Sequence, residues 1–132
     1  MNPKRILVAD DEPNMLRVLT LILQRAGFEV RTARDGREAL ESILETPPDV
    51  LVTDIQMPRM TGEQLCRELE RQVPGRSFPI YVMTSMTDRE HRCWLQGMRN
   101  TEFLEKPVSV RSLIAKVERH FAQAQDGGSG DA

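Results

Sequence analysis

The chain is expected to fold as a doubly wound α/β domain, one parallel sheet of five strands with helices on both faces. Two observations carry that expectation. Short apolar runs occur without the in-and-out alternation of a half-exposed strand, which is the pattern of strands covered on both sides. Between them the apolar period changes to three and four residues. This β–α alternation repeats about five times over roughly 120 residues, the order that right-handed crossovers turn into a parallel sheet.

The first strand falls at Ile6 to Ala9. Leu16, Leu19, Leu23 and Ala26 then recur at helical spacing, Ile22 widens the face, and Gly27 stops the first helix. Val30 to Ala33 is a weaker second strand. Asp35 caps a second helix with Ala39, Leu40, Ile43 and Leu44 on its inner face, ended by Pro47 and Pro48. Val50 to Thr53 is the third strand. Leu65, Cys66 and Leu69 mark a third helix before the loop from Pro74 to Pro79, and Ile80 to Thr84 is the fourth strand. A fourth helix is expected over Arg89 to Arg99, with Trp94, Leu95 and Met98 on its apolar side and Gly97 weakening its last turn. Glu102 to Leu104 is a very short fifth strand that depends on tertiary packing. Ser109 caps a fifth helix whose face is Leu113, Ile114, Val117 and Phe121. The domain is expected to span 1–122, and 123–132, ending DGGSGDA, reads as a flexible tail or truncated linker.

Composition narrows the function. With 18 Lys and Arg against 20 Asp and Glu in 132 residues, the net charge of -2 lacks the basic footprint of a protein that tracks a phosphate backbone. Direct nucleic-acid binding is not expected. At 39% apolar and 29% charged residues the chain suits a packed globule rather than a disordered one. Cys66 and Cys93 have no metal-ligand spacing and read as semi-buried thiols in a reducing compartment. The start MNPKRILVAD has too few apolar residues for a signal-peptide core or a membrane span, so the expected location is the cytoplasm, with no membrane partner.

In open α/β sheets, ligands bind beyond the carboxyl ends of the strands. Asp10 and Asp11 follow the first strand, Asp54 closes the third, Thr84 and Ser85 end the fourth, and Lys106 follows the fifth. Three carboxylates gathered there repel one another unless a cation lies between them, and Mg²⁺, a hard ion that accepts carboxylates and waters together, meets that need. Taken alone, Asp10, Asp11 and Glu12 are equally an acidic start to the first helix. Asp54 is more informative, since it closes an apolar strand and precedes IQMPRMTG, where Pro58 and Gly62 shape a loop. A carboxylate there can be a ligand, a base or a nucleophile. Aspartate nucleophiles form aspartyl phosphates, whose growing charge Mg²⁺, Lys106 and the Thr84 hydroxyl are suited to stabilise.

With these residues in place, the chain closely resembles the receiver domain of bacterial two-component response regulators. The resemblance covers about residues 4–121 and rests on ILVADDE, LVTDIQMPRMTG, VMTS and FLEKP, in that order and spacing. It implies the flavodoxin-like receiver fold. It further implies Asp54 as phosphoacceptor, Asp11 as direct Mg²⁺ ligand, Asp10 as a helper acting largely through water, and the main-chain carbonyl of Gln56 completing the metal set. Thr84 and Lys106 would each bond a phosphoryl oxygen. Phe103 takes the position of a switching aromatic residue, and without a hydroxyl its orientation is left to packing. The implied partners are a sensor histidine kinase or histidine phosphotransfer protein as donor, and a downstream protein or linked effector domain as target. A homodimer through the fourth helix, fifth strand and fifth helix is a further possibility of this family. Where such domains often have Gly-Ala before the fifth strand, this chain has Arg99-Asn100, and Asn tolerates a left-handed turn better than most residues.

The expected function is therefore a phosphorylation-controlled signalling switch that catalyses its own phosphorylation and dephosphorylation but turns over no separate substrate. Two alternatives stand beside it. One is a docking domain of the same fold that works without phosphate. The other is a small Mg²⁺-dependent phosphatase, against which Gln56 occupies the place of the second acid of a DxD pair and cannot transfer its proton. Trp94 is either ordinary packing or part of a partner surface. His91 and His120 read as surface or helix-end residues without a metal pattern.

Overall fold

The structure, a computed structural model, describes residues 4–85 and 98–130, with side chains as far as 122. Its elements run β1 (Arg5–Ala9), α1 (Pro13–Arg25), β2 (Glu29–Ala33), α2 (Gly36–Glu45), β3 (Val50–Asp54), α3 (Gly62–Gln72), β4 (Ile80–Thr84), β5 (Thr101–Glu105) and α4 (Val110–Gly130). All strand pairs are parallel and the order is β2-β1-β3-β4-β5, the doubly wound arrangement expected.

Alternate residues of the central strands β1, β3 and β4 feed two separate cores, which is why those three strands are mostly apolar, whereas the edge strands β2 and β5 keep polar, partly exposed positions. Leu7, Leu51, Ile80 and Val82 pack with Ala39, Ile43, Leu65 and Leu69 of α2 and α3. Ile6, Val8, Val52 and Met83 pack on the other face with Leu19 and Leu23 of α1 and Leu113 and Val117 of α4. β3 and β4 are buried at every position.

Helix starts follow local chemistry. Pro13 opens α1, where its missing N–H costs nothing. Asp35 accepts a bond from Glu38 N at 2.8 Å and caps α2 as expected. Thr61 and Gln64 exchange bonds in a capping box at α3.

Several expectations are corrected. β5 reaches Thr101–Glu105, longer than Glu102 to Leu104, because pairing to β4 extends over all five residues. Helix α4 runs on past 122, through Ala124 and Gln125, which are good helix formers, to Gly130. Cys66 is fully buried rather than semi-buried, against Leu65 and Leu69, and burial pushes its thiol up to about 12. Cys93, His91, Trp94 and most of the helix expected over Arg89 to Arg99 lie outside the described residues. At the described end of that segment, Met98 is loop and Arg99 and Asn100 form a turn, with Asn100 at φ 59°. No helix among the described residues is long and apolar enough to cross a membrane.

Candidate functional site

Parallel strands deliver their last residues to one rim, and four segments meet there. β1 ends at Ala9, and Asp10 N donates to Ala33 O at 3.0 Å, which anchors the residue beside the end of β2. Asp54 is the last residue of β3. Thr84 ends β4, fully buried, and its carbonyl accepts from Lys106 N at 2.6 Å, so the chain leaving β5 is tied to the end of β4. Lys106 precedes Pro107 across a cis peptide bond.

These ties gather charges of both signs. Asp10, Asp11 and Asp54 each offer a carboxylate oxygen, and those oxygens all lie within 4.8 Å of one another. Lys106 Nζ donates to Asp54 Oδ2 at 2.9 Å, while Asp54 Oδ1 accepts from Ile55 N at 2.7 Å. Asp10 and Asp54 are buried and Asp11 is exposed, so one side of the cluster is open to solvent.

Asp10 is the strained member. Its Oδ1 accepts from Glu12 N at 3.0 Å, but its buried Oδ2 has no hydrogen-bond partner. Burial pushes the carboxyl up to about 6, the Glu12 N–H pulls it down, and the negative charge of Asp54 adds to the rise. An orphaned buried oxygen beside two further carboxylates fits a hard divalent cation such as Mg²⁺, which takes oxygen ligands and retains waters. A cation there would relieve both the repulsion and the missing bond.

The loop after Asp54 is set by tight backbone approach. Gly62 N donates to Ile55 O at 2.8 Å, and a Cβ at Gly62 would collide with the Asp54 carbonyl and the Ile55 backbone. Gln56 is exposed in this loop, two residues after Asp54, and Met57 is buried in the core beneath it, with Met60 packed against that core. Phe103 is half-buried on β5 and packs against the α2–α3 core.

The rim thus brings together Asp10, Asp11, Asp54 and Lys106, with Thr84 at the adjoining strand end. Gln56 follows two residues after Asp54, and Phe103 stands on β5, two strands from Asp54. Sequence reasoning read Asp35 only as the cap of α2 and did not find its pairing with Arg59, whose side chain meets it beside the same loop at 3.0 Å. Their spacing of 24 positions leaves no local signal.

The chain matches the family model of the response regulator receiver domain over residues 6–118. It is 33% identical over 115 residues to the alkaline phosphatase synthesis transcriptional regulatory protein PhoP of Bacillus subtilis (strain 168), covering 87% of this chain and 47% of that protein. It therefore spans about half the length of that curated relative. Among solved structures, a CheY-like response regulator receiver domain protein from Methanospirillum hungatei JF-1 superposes with a TM-score of 0.85 at 25% identity, covering 96% of this chain and 99% of that one. The chemotaxis response regulator CheY4 of Vibrio cholerae gives a TM-score of 0.79 at 31% identity, over 89% of this chain and 98% of that one.

Proposed function

Because the chain belongs to the response regulator receiver domain family, whose members are phosphorylation-controlled switches of two-component signalling, we propose that Asp54 is its phosphoacceptor. The observation that carries this reading is the bond from Lys106 Nζ to Asp54 Oδ2 at 2.9 Å beside three clustered carboxylates. A nucleophile, a fixed positive group and a cation-binding set share one rim.

In the transfer step an Asp54 carboxylate oxygen attacks phosphorus in line. The O–P bond forms as the P–N bond of a donor phosphohistidine breaks, and the imidazole departs with the electron pair. Ile55 N holds one carboxylate oxygen, which fixes the plane from which the other attacks. Lys106 moves from the carboxylate to a phosphoryl oxygen, and the Thr84 hydroxyl donates to another. Asp10, Asp11, Asp54 and the Gln56 main-chain carbonyl would hold Mg²⁺, which neutralises charge on the phosphoryl oxygens. Water attack on the same phosphorus resets the switch. Those contacts draw on Thr84 and Lys106, at the ends of β4 and β5, and Phe103 then repacks to alter the surface of β5, α4 and the segment before them.

The donor in this reading is a sensor histidine kinase or a histidine phosphotransfer protein. The recipient of the signal is a downstream protein or a linked effector domain, with self-association through the β5–α4 face as one form of output. The unit that does this is residues 1–122, working in the cytoplasm. It catalyses only its own phosphorylation and dephosphorylation.

The test is phosphoryl transfer to the full chain from a small acyl phosphate. Wild type is expected to gain a hydroxylamine-labile phosphoryl group when Mg²⁺ is present and to gain none in EDTA or as Asp54→Ala. Equal labelling of Asp54→Ala would place the chemistry on another residue and end this reading.

A further inference from the structure

The loop joining β3 to α3 carries Gln56 and is held at both ends. At its base, Gly62 N donates to Ile55 O at 2.8 Å. On its far side, Arg59 occupies the left-handed region at φ 63°, where glycine is the unstrained residue. Its guanidinium grips Asp35 with two bonds, Nε to Oδ2 at 3.0 Å and Nη2 to Oδ1 at 3.3 Å. Asp35 Oδ1 also accepts from Glu38 N at 2.8 Å, so the carboxylate that caps α2 is the one that holds the loop. Beside it, Gly36 N donates to Met60 O at 2.9 Å, and a Cβ at Gly36 would collide with the Met60 backbone. The start of α2 is therefore tied to two consecutive loop residues, with only Gln56, Met57 and Pro58 between that tie and the loop's base.

We propose that Arg59 and Asp35 are positioning residues for the phosphoacceptor site, fixing where the Gln56 main chain stands relative to Asp54 and the acidic cluster. The inference rests on the reading of Asp54 as a cation-assisted phosphoacceptor. Neither residue touches the phosphoryl group or the metal. Arg59 is too exposed for its ion pair to contribute much to global stability, and its effect falls on which loop conformation is populated. Its side chain also explains why an arginine stands at a backbone angle that favours glycine: the two-bond grip on a buried carboxylate compensates for the angle.

Two variants of the full chain separate this role from a structural one. Arg59→Gly accepts the backbone angle and deletes the grip. Asp35→Asn keeps an acceptor for Glu38 N and removes the charge. Mg²⁺ affinity by calorimetric titration, melting temperature, and the rate of Asp54 phosphorylation at saturating Mg²⁺ are measured for each. The expected result is a Mg²⁺ dissociation constant raised about tenfold in both, as for supports behind a ligand set, with the rate at saturating Mg²⁺ near that of wild type. Faster hydrogen exchange at the amides of Gln56, Met57, Arg59 and Met60 should accompany it. Should Arg59→Gly fail to fold, Arg59→Lys, which keeps the charge and loses the two-bond geometry, decides by the same comparison. Wild-type Mg²⁺ affinity in the folded variants overturns the inference and leaves the phosphoacceptor reading standing. A wild-type chain that neither binds Mg²⁺ nor takes the phosphoryl group overturns both.

Discussion

At the residue scale the chemistry turns on one unpartnered oxygen, Oδ2 of Asp10, held out of water beside two other carboxylates. Because the folded carboxyl is raised to about 6 from an ordinary value near 3.8, the folded state holds its proton more tightly than the unfolded one. Its ionisation therefore costs stability above pH about 6, and the cost fades as pH falls toward the unfolded value. Asp10→Asn should accordingly raise the melting temperature in EDTA at pH 7 by roughly 3 °C or more, with the difference shrinking by pH 4, and should lose much of the further rise that Mg²⁺ gives wild type. A fall in melting temperature in EDTA would mean that Asp10 stabilises the apo fold. Asp10, Asp11, Asp54, Thr84 and Lys106 were legible in the sequence because each sits just past an apolar run, where strand ends point to ligands. The pairing of Arg59 with Asp35 was not, since that contact exists only after α2 and the β3–α3 loop meet.

Elements place those residues, and the tightest placement is at the start of α3. The Gly62 N–H closes the loop from Asp54, and its missing side chain lets the helix start against the Asp54 carbonyl. Gly62→Ala should destabilise the fold by about 2 kcal/mol or more in urea unfolding, since the obstructing atoms are backbone and cannot rotate away. Unchanged stability would show that the loop yields. β1, β3 and β4 were legible because both of their faces are covered, so apolar content alone marked them, whereas the partly exposed β2 gave a weaker signal. The full length of β5 was not, because Thr101 and Glu105 join it only through register with Ile80 and Thr84. The spacing of Thr61 and Gln64 is a readable helix start, whereas the close approach at Gly62 depends on the finished sheet.

For the whole molecule, two cores on opposite faces of one sheet leave the carboxyl rim as the place where charge collects, and in the proposed switch the β5–α4 side is where it would be read out. The strand order follows from the β–α alternation, but which distant charges share a bond does not, and the 2.9 Å contact between Lys106 and Asp54 spans 52 positions. The central claim is that Asp54, Lys106 and a cation hold one small anion between them. Thermal melting with beryllofluoride, a non-reacting stand-in for the phosphoryl group, tests it most directly when run with and without Mg²⁺ on wild type, Asp54→Ala and Lys106→Ala. The account predicts a rise in melting temperature for wild type only when both ions are present, a much smaller rise for Lys106→Ala, and none for Asp54→Ala. An equal rise in Asp54→Ala, or none in wild type, would contradict it.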